Sequence, residues 1–246
     1  MDNVSTALLS NVTISGNSSN IGGGMHILDS NPELLNMTIN GNDSNGGGKA
    51  IYNADSSPTL KNVIIWDHDG STTLFNFGTS NPSISYSLIE GSGGSGSWDS
   101  SFGTDGGNSI DTDPLFVTGT NPANAPTTTG DHQLMASSPA INTGDPSIDL
   151  SDFPGGPGSP VDLADNERVY DGTTDIIDIG AYEFQGDYVE PFTPFITTWE
   201  VTAGDPDITI PTTGSGYNYD VDWGDGNSDT GAVSYTHLTL PTIYSV

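Results

Sequence analysis

Asn11-Val-Thr-Ile-Ser-Gly-Asn17 returns as Asn36-Met-Thr-Ile-Asn-Gly-Asn42 and, in weaker form, as Asn62-Val-Ile-Ile-Trp66, at spacings of 25 and 26 residues. Two further landmarks keep the same order. Gly22-Gly-Gly24 reappears at Gly46-Gly-Gly48, and Ser30-Asn-Pro32 at Ser57-Pro58 and Ser80-Asn-Pro82. A period of this length means one small supersecondary unit stacked on copies of itself, because no such unit buries its apolar side chains alone. Short runs such as Val12-Thr-Ile14, Met25-His-Ile27 and Pro32-Glu-Leu34 alternate apolar with polar residues, which is the strand period. Gly, Asn, Asp and Ser fill the intervals and supply turns, and no capped helical stripe is present. The unit therefore reads as one coil of a parallel β-helix, with coils stacked about 4.8 Å apart. Ile14, Ile39 and Ile64 are expected to form one interior ladder, and Ile27, Ile51 and Leu74 or Phe75 another. Asn11, Asn36 and Asn62 fall at equivalent turns, where side-chain amides can bond along the stack. That role is preferred to glycosylation of Asn11-Val-Thr and Asn36-Met-Thr.

Charge narrows the functions open to such a chain. Lys49, Lys61 and Arg168 are its only Lys and Arg residues, against 32 Asp and Glu, for a net charge of −29. Nucleic acid is excluded as a partner, since phosphate binding needs a basic surface, and anionic lipid is disfavoured for the same reason. Abundant Gly, Ser, Thr, Asn and Asp would suit disorder, but the regular placing of apolar residues argues for a packed solenoid. With no cysteine there is no disulfide frame, thiol nucleophile or thiolate zinc site. No apolar run reaches membrane-spanning length. Met1-Asp2-Asn3 opens without a signal peptide, and the chain is expected to begin inside a repeat.

These residues resemble right-handed parallel β-helix proteins of the pectin-lyase-like type, found in bacterial surface and secreted proteins. The resemblance sharpens in Gly106-Gly-Asn-Ser-Ile-Asp-Thr-Asp-Pro-Leu-Phe-Val117, similar to that family's closing coil. His132-Gln-Leu134, Ser137-Ser-Pro-Ala-Ile-Asn142, Gly144, Arg168, Asp171-Gly172 and Asp178-Ile-Gly-Ala-Tyr-Glu183 follow in the family's order. The resemblance covers residues 1–184 and implies an all-β solenoid. Residues 185–194 read as a Pro-containing linker. Residues 195–231, with Ile208-Thr-Ile210 and Tyr219-Asp-Val-Asp-Trp-Gly-Asp-Gly226, resemble the β module of BspA-like surface proteins and the polycystic-kidney-disease-type sandwich. Three strand candidates are too few to close a sandwich, so this module is expected to be truncated.

The truncation has a specific reading. Val233 to Thr242 back-translates to GTC TCT TAT ACA CAT CTG ACG CTG CCG ACG, which resembles a transposase mosaic end joined to a library adapter. An index followed by GTG TAG would then supply Ile243 to Val246 and a stop. Residues 232–246 are therefore expected to be adapter-derived and the chain to be a metagenomic fragment, although the stretch is also rich in strand-forming residues.

Chemistry is sparse. A β-elimination lyase needs a base and cations for a uronate carboxylate. Lys49 and Lys61 sit at different landmarks, and Arg168 lies in the terminal signature. Asp67-His-Asp69 sets two carboxylates beside an imidazole, but in a strand His68 points away from both, so a polar turn is expected. Asp111 and Asp113 read as turn-formers. Asp175, Asp178 and Glu183 have no fixed geometry for calcium. Asp220, Asp222 and Asp225 resemble a calcium loop, with the third carboxylate one place late for the EF-hand pattern and no closing Glu. They are the candidate metal ligands, and calcium the candidate ion. No other cofactor is expected. The leading expectation is a non-catalytic, exported bacterial surface protein that adheres to extracellular polysaccharide or cell-surface glycan through a repetitive β-helix face, without membrane insertion. The alternatives are a polysaccharide lyase or glycosidase whose catalytic coils precede Met1, and a structural stalk.

Overall fold

The computed structural model describes residues 7–68, 73–156, 158–169 and 176–186, and strand backbone at 207–208, 219–222, 228–232 and 238–239. Residues Met1–Phe192 form one compact unit and Thr193–Val246 another.

The first unit is built on a parallel β-solenoid of about four turns. One wall, the asparagine sheet, stacks Leu8–Ser15 on Glu33–Asn40, then on Thr59–Lys61 with Ile64–Trp66, then on Ser83–Ser85 with Leu88–Ile89. A second wall, the aromatic sheet, stacks Met25–Leu28, Ile51–Ala54 and Leu74–Phe77, all parallel. Ser18–Ser19 on Asp43–Ser44 makes a small third strip.

Register fixes what is inside. Leu9, Leu34, Leu60 and Ile84 form one interior ladder, and Ile14, Ile39, Ile65 and Ile89 another. Met25, Ile51 and Leu74 face them from the aromatic sheet. Side chains fully removed from water in this way stabilise by about 1.5–3 kcal/mol each. Ile14 and Ile39 pair as expected, but Ile64 does not continue their ladder. The Asn36-to-Asn62 spacing is 26, so Ile65 falls under Ile39 and Ile64 falls under Thr38. Since successive strand residues point to opposite faces, Ile64 leaves the interior and packs outside with Leu88, Phe116, Leu134, Ala140, Ile141 and Ile179. Similarly, Ile27 stacks on Asn53 rather than Ile51, and Phe75 on Tyr52. The glycine triplets also meet one step off their sequence spacing, with Gly22 N–H donating to Gly47 O and Gly23 N–H to Gly48 O.

Two corners of each coil need left-handed backbone. At the first, Asn11, Asn36 and Asn62 have φ of 53°, 46° and 55°, a conformation Asn tolerates best among residues with a side chain. Gly16 and Gly41, at φ of 64° and 60°, take the second corner. A Cβ on either would lie 2.2 Å from the carbonyl oxygen of Thr127 or Thr120. Glycine here admits another stretch of chain against the coils.

That stretch is the C-terminal strap. Thr104–Asp105 pairs with Ser83–Ser85, and Ile110 bridges Leu88, which ends the stacking. Residues 104–110 thus lie on the last coil, in keeping with the closing-coil resemblance, and from Asp111 the chain leaves the stack. It runs back along the outside of the asparagine sheet. Thr120 N–H donates to Asn40 Oδ1 at 2.6 Å, and Thr127 N–H to Gly16 O at 2.8 Å. Phe116–Thr118 and Asp131–Leu134 pair antiparallel within the strap. The outer apolar positions of the sheet, Leu35, Ile64 and Leu88, are thereby buried.

In the second unit, Asp207–Ile208 pairs with Leu238–Thr239 and Tyr219–Asp222 with Ser228–Ala232, both antiparallel. Leu238–Thr239 lies within the adapter-like segment.

Candidate ligand-binding face

Among the described residues, the strap does not cover the outer face of the aromatic sheet as it covers that of the asparagine sheet. The inward residues of the aromatic sheet alternate with outward His26 and Leu28, Tyr52 and Ala54, and Phe75 and Phe77. The parallel register places these in rows, His26 over Tyr52 over Phe75, and Leu28 over Ala54 over Phe77. Tyr52 stacks on Phe75 with centroids 5.2 Å apart and planes at 23°, and on Phe77 at 6.4 Å and 25°. His26 meets Tyr52 edge-on at 5.2 Å. Phe75 and Phe77 remain 36% and 54% exposed, unusual for two neighbouring phenyl rings. In the fourth coil a 3-10 turn, Ser100–Phe102, replaces the next strand, held by Asn76 Nδ2 donating to Ser101 O at 2.9 Å. Its outward residues Ser100 and Ser101 are small, so no further ring is stacked below the phenyl pair among the described residues.

Carboxylates border the rings. Asp29 and Asp55 sit just past the strand ends, both exposed, at φ of 47° and 48°. Asp29 N–H donates to Ala54 O, which sets the two in register. Asp55 Oδ1 accepts Thr79 N–H at 3.0 Å. Among the described residues neither has a cationic partner: Lys49 pairs with Asp43 at 3.3 Å, Lys61 with Asp145 at 3.0 Å and Arg168 with Glu183 at 3.5 Å, which uses every Lys and Arg of the chain.

The residues expected to carry chemistry are mostly structural. Arg168 is wholly buried beneath the strap. Its Nη2 donates to Asn11 Oδ1 and, at 2.9 Å, to Gly180 O, and its guanidinium lies 5.3 Å from the Phe153 ring centroid. Glu183 Oε2 accepts Asp178 N–H at 3.0 Å, Asp178 accepts the N–H groups of Asn142 and Phe184, and Asp162 accepts that of Glu183. Burial, with the Asp178 carboxylate beside it, pushes the Glu183 carboxyl up to about 9 in spite of Arg168. The terminal signature is thus a polar knot that ties the strap to the asparagine ladder. Asn11 and Asn36 are buried too, their amides donating to Val161 O and to Asp178 O and Gly180 O. Glycosylation at either is incompatible with this packing. Bonding along the stack occurs between Asn62 Nδ2 and Asn36 Oδ1, at 3.0 Å.

His68 is buried inside the coil, and desolvation lowers its pKa to about 3, so it is neutral. Asp67 accepts a hydrogen bond from Asn40 Nδ2 at 3.0 Å, while Asp69 lies outside the described residues. An open polar cleft of about 560 Å³ between Asp67, Glu90 and residues 119–123 contains two carboxylates, each already accepting a hydrogen bond from the protein. Asp113 accepts Leu115 N–H as a turn-former, whereas Asp111 accepts the N–H groups of Gly91 and Gly93 and so ties its segment to the preceding coil rather than forming a local turn. Asp175 and Asp225 lie outside the described residues, as do the side chains of Asp220 and Asp222 on the strand Tyr219–Asp222. Among the described residues, no helix is long and apolar enough to cross a membrane.

The aromatic platform was not singled out from sequence. Its signal is an aromatic or imidazole ring in the outward phase of three successive strands, but His26-to-Tyr52 spans 26 residues and Tyr52-to-Phe75 only 23. That uneven interval hides the row. No family model, curated protein or solved structure matches this chain.

Proposed function

We propose that this chain belongs to a non-catalytic, exported bacterial surface protein of the pectin-lyase-like β-helix kind, which adheres to glycan through the outer face of its aromatic sheet. One observation carries the reading: Tyr52, Phe75 and Phe77 form a partly exposed, stacked ring cluster on a parallel sheet. Pyranose C–H groups pack on aromatic surfaces, and rigid rings lose little entropy on binding. The lyase alternative draws no support from the cations. Arg168 is sealed in the core, and Lys49 and Lys61 are each held by an aspartate, so none is presented to a substrate carboxylate.

The test is affinity electrophoresis of the chain through gels containing soluble polysaccharides, beside a Phe75→Ala/Phe77→Ala variant. Retardation by at least one glycan, abolished in a variant with unchanged circular dichroism, is the expected result. Equal retardation of both proteins would end the assignment of this face.

A further inference from the structure

We infer that the glycan taken by this face is uncharged, a polymer of neutral pyranoses, and this rests on the reading of the face as a glycan site. The contact surface itself offers rings and aliphatic groups. Its outward strand positions are His26, Leu28, Tyr52, Ala54, Phe75 and Phe77, with no carboxylate, amine or guanidinium among them. Such a surface recognises apolar sugar faces and supplies no counter-charge for a bound ion.

The border selects further. Asp29 and Asp55 are acceptors when ionised, and the many hydroxyl donors of a neutral sugar complement them. A uronate or sulfated sugar would instead bring negative charge against two carboxylates stacked in register, with every Lys and Arg already paired elsewhere. The whole-chain charge of −29 adds a long-range repulsion of the same sign. A polycationic glycan would be drawn by that field and by Asp29 and Asp55 at the border, but the rings and aliphatic groups that make up the contact surface itself add nothing for its amines. Each ligand class therefore has its own salt signature. Attraction to rings is insensitive to salt, repulsion of polyanions is relieved by it, and attraction of polycations is weakened by it.

The experiment uses three probes, a mixed-linkage β-glucan, polygalacturonate and a deacetylated chitin. Retention of the full chain and of Phe77→Ala is measured at about 0.05 M and about 0.5 M salt, where the Debye length falls from roughly 14 to 4 Å. The expected result is retention by the β-glucan, equal at both salt concentrations and reduced about tenfold or more by Phe77→Ala, a change of about 1.4 kcal/mol. Phe77→Trp, which keeps a ring, is expected to retain binding. Phe77-dependent binding of polygalacturonate or of the amino glycan in place of β-glucan would overturn the neutral class while leaving the face as a glycan site. Amino-glycan binding that vanishes at high salt and ignores Phe77→Ala would show a bulk charge effect, and with no β-glucan retention it would overturn the neutral class and the face together. Retention of none of the three would likewise sink both.

Discussion

The two walls of the solenoid are built from the same parallel ladders and treat their outer faces in opposite ways. On the asparagine sheet, outward Leu35, Ile64 and Leu88 are covered by the strap and are at most 1% exposed. On the aromatic sheet, Phe75 and Phe77 stand outward at 36% and 54%. The difference is carried by backbone chemistry as much as by apolarity. Asn11, Asn36 and Asn62 give the first wall a column of amides that bond to strap backbone at Val161, Asp178, Gly180 and Asp145. The strands of the second wall carry Asn53 and Asn76 on their inner phase, bonded to each other. An outer face becomes core when it offers fixed hydrogen-bond partners to a covering segment, and stays a surface when it offers only rings.

The contrast can be broken first at Arg168. Truncation by Arg168→Ala leaves Asp162 and Asp178 buried near no cation and removes the bond to Asn11, so a loss of about 3–5 kcal/mol is expected, read from urea denaturation. A loss under about 1 kcal/mol would mean the knot does not hold the strap. Next comes Ile64→Ala, expected to cost about 2–4 kcal/mol as a cavity between sheet and strap. Were Ile64 merely a surface residue, the same change would be nearly silent.

A pH-dependent effect is expected at Glu183. Its folded pKa, about 9, lies above the ordinary 4.5. Its contribution is therefore fully present below about pH 4.5 and declines as pH rises towards 9, at no more than about 1.4 kcal/mol per pH unit. Glu183→Gln cannot ionise and should gain on the parent protein as pH rises across that window. Parallel urea midpoints for the two proteins at acid and alkaline pH would show Glu183 to be ionised throughout. The smallest stability effect is expected at Phe77, where Phe77→Ala should shift stability by only about 0.5 kcal/mol, while glycan retention is lost. A large destabilisation measured by thermal melting would show that the ring is a packing element and not a free surface.

How much of this was legible follows the periodicity. The coil, the parallel pairing of Ile14 with Ile39 and the structural use of the Asn positions could all be read, because two coils repeat at one interval. Ile64 was misplaced by one residue because the second unit, from Asn36 to Asn62, is a residue longer than the first, and a single step in a strand reverses the face. The rows of Tyr52 and Phe75 stayed hidden for the related reason that the third coil is short between its two walls. The strap could not be read as a strap at all. Arg168 and Asn11 are separated by 157 residues and share no pattern, so the ordered terminal motifs were visible while their docking surface was not.

The strap also changes the kind of object the repeats form. Stacked coils touching only their neighbours behave as a one-dimensional array, able to fray from either end. Here one polypeptide returns from the last coil to bond the first at Gly16 and Asn11, the second at Asn36 and Asn40 and the third at Asn62. Separate units become a single cooperative one whose coils melt together. Its cost is kinetic: contacts spanning 142 to 157 residues must close late, which places this solenoid among slow-folding, high-contact-order chains.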